Sequence, residues 1–163
     1  THVDIIQIGA RNMQNYSLLK TVGALGKPVM LKRGIASTVN EWLMAAESIV
    51  SRGNYQVILC ERGIRTFETI TRKTLDLGVL PILRGITHLP IMVDPSHGTG
   101  MANAVGPMAR AAAATGVDVT IVEVHPDPPK ALSDGPQALT FAMFAELMTD
   151  LRKVTAALGQ ALA

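Results

Sequence analysis

Pro90-Ile-Met-Val-Asp-Pro-Ser-His97 runs apolar for three residues after a proline, then breaks into an acid, a second proline, a serine and a histidine. Four other stretches share this order: Asp4-Ile-Ile-Gln-Ile-Gly-Ala-Arg11, Pro28-Val-Met-Leu-Lys-Arg-Gly34, Val57-Ile-Leu-Cys-Glu-Arg-Gly63 and Val119-Thr-Ile-Val-Glu-Val-His-Pro126. Each passes from apolar to charged. Short, continuous runs rich in Val and Ile are what parallel strands covered on both faces look like.

Helical segments lie between them. Thr38-Val-Asn-Glu41 is a capping box, and Val39, Leu43, Ala46 and Val50 keep helical spacing until Gly53. Residues 101–116 are Ala-rich and close at Gly116, with Pro107 tolerable in a first turn. Thr140 caps a last predicted helix reaching about Leu158. Residues 63–75 read as a long polar loop and 77–86 as a short helix.

Strand alternating with helix implies a parallel α/β sheet, doubly wound or closed into a barrel. A doubly wound sheet concentrates its site at one switch point, whereas here nearly every strand ends in ionisable groups. Those groups converge only if all the carboxyl ends share one mouth, so a (β/α)8 TIM barrel is the expected fold. A barrel of about 250 residues spends roughly 31 on each βα unit. The 163 residues therefore correspond to about five units. The expectation is one partial-barrel catalytic domain over residues 1–163, strands four to eight with their helices, with the first three units missing.

The composition is that of a compact globular domain, 48% hydrophobic and 17% charged. No apolar run approaches a membrane span, and no signal-peptide layout opens the sequence, so a soluble cytoplasmic protein is expected. The single cysteine, Cys60, excludes an internal disulfide framework and reads as a small buried thiol. A net charge of +2 and six aromatic residues give no basic-aromatic face, so neither nucleic acid nor membrane is an expected partner.

His97 sits just past a strand end, where Pro95 stops the ladder and Gly98 and Gly100 let backbone approach a ligand. Alone it reads better as a histidine satisfied by local hydrogen bonds. Glu123 ends the next strand and Asp134 follows in the loop behind it, so one His and two carboxylates make an N,O site for a divalent metal such as Mn, Fe, Co or Zn. The alternative for Glu123 is a pair with a neighbouring Lys or Arg. Arg11, Lys32, Arg33, Arg62 and Arg65 put cations around the same mouth, which suits an anionic, phosphorylated substrate. A metal beside a phosphate-binding rim suggests Lewis-acid chemistry on a phosphorylated small molecule.

Ile8-Gly-Ala-Arg-Asn-Met-Gln14, Leu31-Lys-Arg-Gly34, Cys60-Glu-Arg-Gly-Ile-Arg-Thr-Phe-Glu68, Val93-Asp-Pro-Ser-His97, Val122-Glu-Val-His-Pro126 and Ala131-Leu-Ser-Asp134 resemble the motifs of 3-deoxy-D-arabino-heptulosonate 7-phosphate (DAHP) synthase, in its short-barrel type I beta subtype. The resemblance covers nearly the whole chain. It implies a transferase that joins phosphoenolpyruvate to erythrose 4-phosphate and releases phosphate, the first step of the shikimate pathway to aromatic amino acids, in a protein that is a homo-oligomer at full length. It also implies that the Ala10 amide, Arg11 and Arg62 hold the phosphoenolpyruvate phosphate, and that Arg65 takes part in substrate binding. Lys32 contacts the carboxylate and can relay a proton, and His97, Glu123 and Asp134 are metal ligands. In the family a fourth ligand comes from a Gly-Pro-Cys segment and the sugar phosphate is bound by a Lys-Pro-Arg segment; neither occurs here. The resemblance thus implies negligible activity for the 163 residues alone. Two rivals are 3-deoxy-D-manno-octulosonate 8-phosphate synthase, which shares the chemistry, and a non-catalytic partial barrel that docks on another chain.

Overall fold

The computed structural model describes residues 2–162. Strands β1 (Ile6–Ile8), β2 (Val29–Lys32), β3 (Val57–Glu61), β4 (Ile91–Val93) and β5 (Val119–Thr120) form one parallel sheet in the order β1-β2-β3-β4-β5. Helices α1 (Tyr16–Gly23), α2 (Val39–Val50), α3 (Val79–Ile86), α4 (Pro95–Thr99), α5 (Ala102–Ala114) and α6 (Phe141–Ala157) alternate with them. The strand order never reverses, so no doubly wound switch point occurs among the described strands. No helix among the described residues is long and apolar enough to cross a membrane.

The period of two along each strand sorts the side chains into two cores. Val29, Leu31, Val57, Leu59, Ile91 and Val93 face the helices, where they pack with Leu19, Trp42, Ile49 and Leu83. Met30, Cys60 and Met92 form a second cluster on the opposite face, with Ile58 and Ile121. Residues two further along that face are Lys32, Arg62 and Asp94, so the alternation that buries Met30, Cys60 and Met92 also aims these three charges at the carboxyl-terminal mouth.

Thr38 and Glu41 form the expected capping box, with both reciprocal bonds present, and Thr140 caps α6. Trp42 is fully buried and its indole N–H donates to the Leu31 carbonyl at 3.1 Å, which fastens α2 to β2.

Several expectations need correction. The first strand stops at Ile8, and Ala10–Asn12 form a 3-10 turn instead of its last residues. The run at 119–125 keeps ladder geometry only over Val119–Thr120; beyond it, Val124 pairs in parallel with Leu139 as an isolated bridge. Pro107 lies in the second turn of α5, not the first. The loop at 63–75 is tied by an antiparallel bridge between Ile64 and Thr74. Pro95 does end β4, but it also opens α4, where Asp94 is the N-cap and accepts from the His97 N–H at 2.9 Å. A Cβ on Gly98 would lie 2.7 Å from Leu75 Cδ1, and one on Gly100, where φ is +72°, 2.5 Å from Arg72 Cβ. These glycines make room for the 65–75 loop and not for a ligand.

Candidate active site

Lys32, the last residue of β2, and Asp94, just past β4, meet across β3: Lys32 Nζ donates to Asp94 Oδ2 at 2.8 Å, and both side chains are buried. His97 Nδ1 approaches the same oxygen at 2.8 Å, off the line of an aligned ring hydrogen bond. Burial alone would push the Asp94 carboxyl up, yet His97 and Lys32 hold it below the usual carboxylate range. Asp94 therefore accepts from the Lys32 ammonium and from the His97 backbone N–H at once. Sequence reading missed that role, although its position two residues beyond Met92 on the inner face was available as a signal.

His97 Nε2 then points away from Asp94, 3.6 Å from Glu123 Oε1 and 3.8 Å from Asp134 Oδ2. The three residues can each offer one atom such that all lie within 4.8 Å of one another. Donors about 2.1 Å from one ion stand about 3.0–3.4 Å apart for octahedral or tetrahedral angles. The two spacings to His97 exceed the tetrahedral value by a few tenths of an ångström, and the three atoms all lie within 4.8 Å of one another, so one nitrogen and two carboxylates suit a small divalent cation. The contact from Asp94 to Nδ1 is the support that a ligating imidazole ordinarily receives.

A cavity of about 490 Å³ opens in front of this group. Ala10, Arg11, Lys32, Arg62, Arg65, His97 and Asp134 all line it, whereas Glu123 does not. Arg72 and Lys73 line it too, and sequence reading did not single them out because they lie inside a polar loop. Burial and then the neighbouring Arg65, Arg62, Arg72 and Arg11 depress the Lys73 ammonium, which is the signature of crowded like charge. Burial also depresses the Arg62 guanidinium, with Asp94 opposing. Such a surface attracts an anion.

Arg33, expected at the mouth, turns away. Its Nη1 bonds Glu61 at 2.8 Å and Asp76 at 3.0 Å, and its guanidinium lies 5.9 Å from the Trp42 ring centre. Glu61 is completely buried and also accepts from the Gly63 N–H at 2.6 Å. This assembly fixes the turn that carries Arg62. Burial pushes the Cys60 thiol up, and Asp94 adds to the rise, so Cys60 is a buried, weakly acidic thiol.

Comparison with known proteins shows the family. A phospho-2-dehydro-3-deoxyheptonate aldolase from Thermotoga maritima is 56% identical over 158 residues, covering 97% of this chain and 47% of that protein. A 2-dehydro-3-deoxyphosphooctonate aldolase from Xylella fastidiosa is 34% identical, covering 95% of this chain and 60% of the relative. The chain thus spans 47% to 60% of these relatives' lengths. The crystal structure of the Thermotoga maritima phospho-2-dehydro-3-deoxyheptonate aldolase (DAHP synthase) superposes with a TM-score of 0.98 at 54% identity, covering 99% of this chain and 48% of that one. A truncated form of the Thermotoga maritima synthase gives the same score, with 62% of its chain covered. The sequence pattern of the DAHP synthetase I family matches residues 1–159, and the chain belongs to that family.

Proposed function

We propose that this chain carries the phosphoenolpyruvate and metal half of a 3-deoxy-7-phosphoheptulonate synthase, a cytoplasmic transferase of aromatic amino acid biosynthesis that condenses phosphoenolpyruvate with erythrose 4-phosphate to give DAHP and phosphate. We read the sheet as strands four to eight of a (β/α)8 barrel, with residues 1–163 forming part of one catalytic domain. The unreversed strand order and the two outermost strands, each paired on one side, support that reading. The observation that carries the function is that one cavity is lined by His97 and Asp134, with Glu123 beside them, together with Arg11, Arg62, Arg65 and Lys32. The 56% identity to the heptulosonate relative, against 34% to the octulosonate one, favours the four-carbon sugar phosphate.

His97, Glu123 and Asp134 would hold the divalent ion, which supplies Lewis-acid polarisation of the aldehyde when bound. Arg11 and Arg62 grip the phosphoenolpyruvate phosphate, the Ala10 amide adds a neutral donor, and Arg65 extends the positive rim. Lys32 meets the carboxylate of phosphoenolpyruvate. Its buried hydrogen bond to Asp94 holds Nζ at the cavity wall, where it can give or take a proton. The Gly-Pro-Cys and Lys-Pro-Arg segments that the family uses for a fourth ligand and the sugar phosphate are absent from these 163 residues. The complete reaction therefore draws on residues outside them.

Calorimetric titration with phosphoenolpyruvate and Mn2+ tests the half-site directly. Binding of both, with phosphoenolpyruvate lost in Arg62→Ala, is the expected result; a chain that binds neither refutes the reading. In a protein that also carries the two missing segments, Lys32→Ala should cut turnover strongly, and turnover within a factor of about 3 of the parent would remove Lys32 from the mechanism. Preference for arabinose 5-phosphate over erythrose 4-phosphate would support the octulosonate alternative.

A further inference from the structure

Asp134 differs from the other two candidate ligands in its backbone. Its φ of 54° makes it the one non-glycine residue among the described ones in the left-handed region, a conformation that surrounding contacts must sustain. Arg72 supplies them. Its Nη1 donates to Asp134 Oδ1 at 2.7 Å and to Gln137 Oε1 at 2.6 Å. Gln137 is buried and its Nε2 has no partner, so its contact with Arg72 is the one side-chain hydrogen bond it makes among the described residues.

Arg72 is itself held from behind. Its N–H donates to the Thr99 carbonyl at 2.9 Å, and the Lys73 N–H donates to the Gly98 carbonyl at 3.0 Å. These bonds lay the 72–73 segment along the turn that follows His97. Gly100 leaves the space that the Arg72 stem fills. An exposed Arg–Asp pair contributes little by itself, but a guanidinium shared with a buried amide and anchored through its own backbone has few positions left.

The two oxygens of Asp134 have separate neighbours: Oδ1 meets Arg72, while Oδ2 faces His97 Nε2. We infer that Arg72 is a positioning residue for the metal ligands, gripping Asp134 Oδ1 so that Oδ2 alone is presented beside His97 and Glu123. Because the same loop brings Arg65 and Lys73 to the cavity, Arg72 also ties that cationic loop to Asp134. The inference rests on the metal-binding reading above.

Co2+ titration of the protein, followed by visible absorption, tests it, with His97→Ala as the control that marks the site. Removing a group that orients a ligating carboxylate typically weakens metal affinity about 10–100-fold. Arg72→Ala should show a loss in that range and an altered absorption band at saturation, in a metal-free protein that still unfolds cooperatively. Arg72→Lys, which keeps one donor, should recover part of the affinity, and Gln137→Leu should lose affinity in the same direction by a smaller factor. Arg72→Ala binding Co2+ within about threefold of the parent, with an unchanged spectrum, would overturn the assignment while leaving the metal site standing. If Arg72→Ala does not fold, unchanged affinity in both Arg72→Lys and Gln137→Leu overturns it equally. A parent protein that binds no Co2+ overturns both this inference and the metal reading.

Discussion

β3 and the run that begins at β5 deliver ionisable residues to the same mouth under opposite conditions. β3 is flanked by β2 and β4, and at its end Glu61 is buried against Arg33, with Arg62 buried next to it. β5 pairs with β4 on one side, Val119 is exposed, and the Glu123 side chain is 40% exposed. Between flanking strands the ladder itself fixes where a side chain points, and buried charges must be neutralised by salt bridges such as Arg33–Glu61 and Lys32–Asp94. At the edge the ladder runs out, so position is held by ties from elsewhere. The Glu123 N–H donates to Ser96 Oγ at 3.0 Å, and its carbonyl accepts from the Leu139 N–H at 2.9 Å. The two halves of the candidate site are thus built by different means, strand geometry on one side and loop contacts on the other.

This contrast can be broken most sharply at Asp94. Asp94→Ala removes the partner of a buried lysine and should cost about 3–5 kcal/mol in urea unfolding, because an uncompensated charge is left inside. A cost within about 1 kcal/mol of zero would show that the inner half does not depend on this pair. Next in size, Leu59→Ala in the middle of β3 should cost about 2–5 kcal/mol, whereas Val119→Ala at the edge should cost less than about 1 kcal/mol. Equal costs would remove the distinction between the strands.

The Cys60 thiol sharpens the inner side further. Its burial and raised pKa predict that iodoacetamide alkylates it at least about a hundredfold more slowly in the native protein than in urea, a ratio that mass spectrometry measures. Comparable rates would mean that the inner face opens readily. Smallest is Thr38→Ala, which deletes the α2 capping box remote from both halves and should lower stability by about 1 kcal/mol without changing metal affinity. A change in metal affinity there would show that α2 transmits to the site.

Much of this molecule was legible in its residues. The runs at Val29, Val57 and Ile91 read as doubly covered strands because each is long enough in apolar residues to fill both faces, and both faces are in fact occupied. The runs at Asp4 and Val119 have the same composition, but composition does not reveal which strand is central, and the ladders there shrink to Ile6–Ile8 and Val119–Thr120. Strand-end position singled out Lys32, Arg62, His97 and Glu123, yet the same signal misassigned Arg33. Odd and even positions face opposite sides of a strand, and Arg33 falls on the helix side, where Glu61 and Trp42 receive it.

By itself the sequence determined the alternation of elements, the caps at Thr38 and Thr140, and the family, because these depend on residues close together in the chain. Tertiary structure alone decided that Asp94 faces Lys32, that Gly98 and Gly100 admit a loop, and that Arg72 meets Asp134 across 62 positions. Those partners are neighbours only after the sheet has brought separate βα units side by side, and no local periodicity or propensity encodes which of several polar residues in a loop will be the one that lands there.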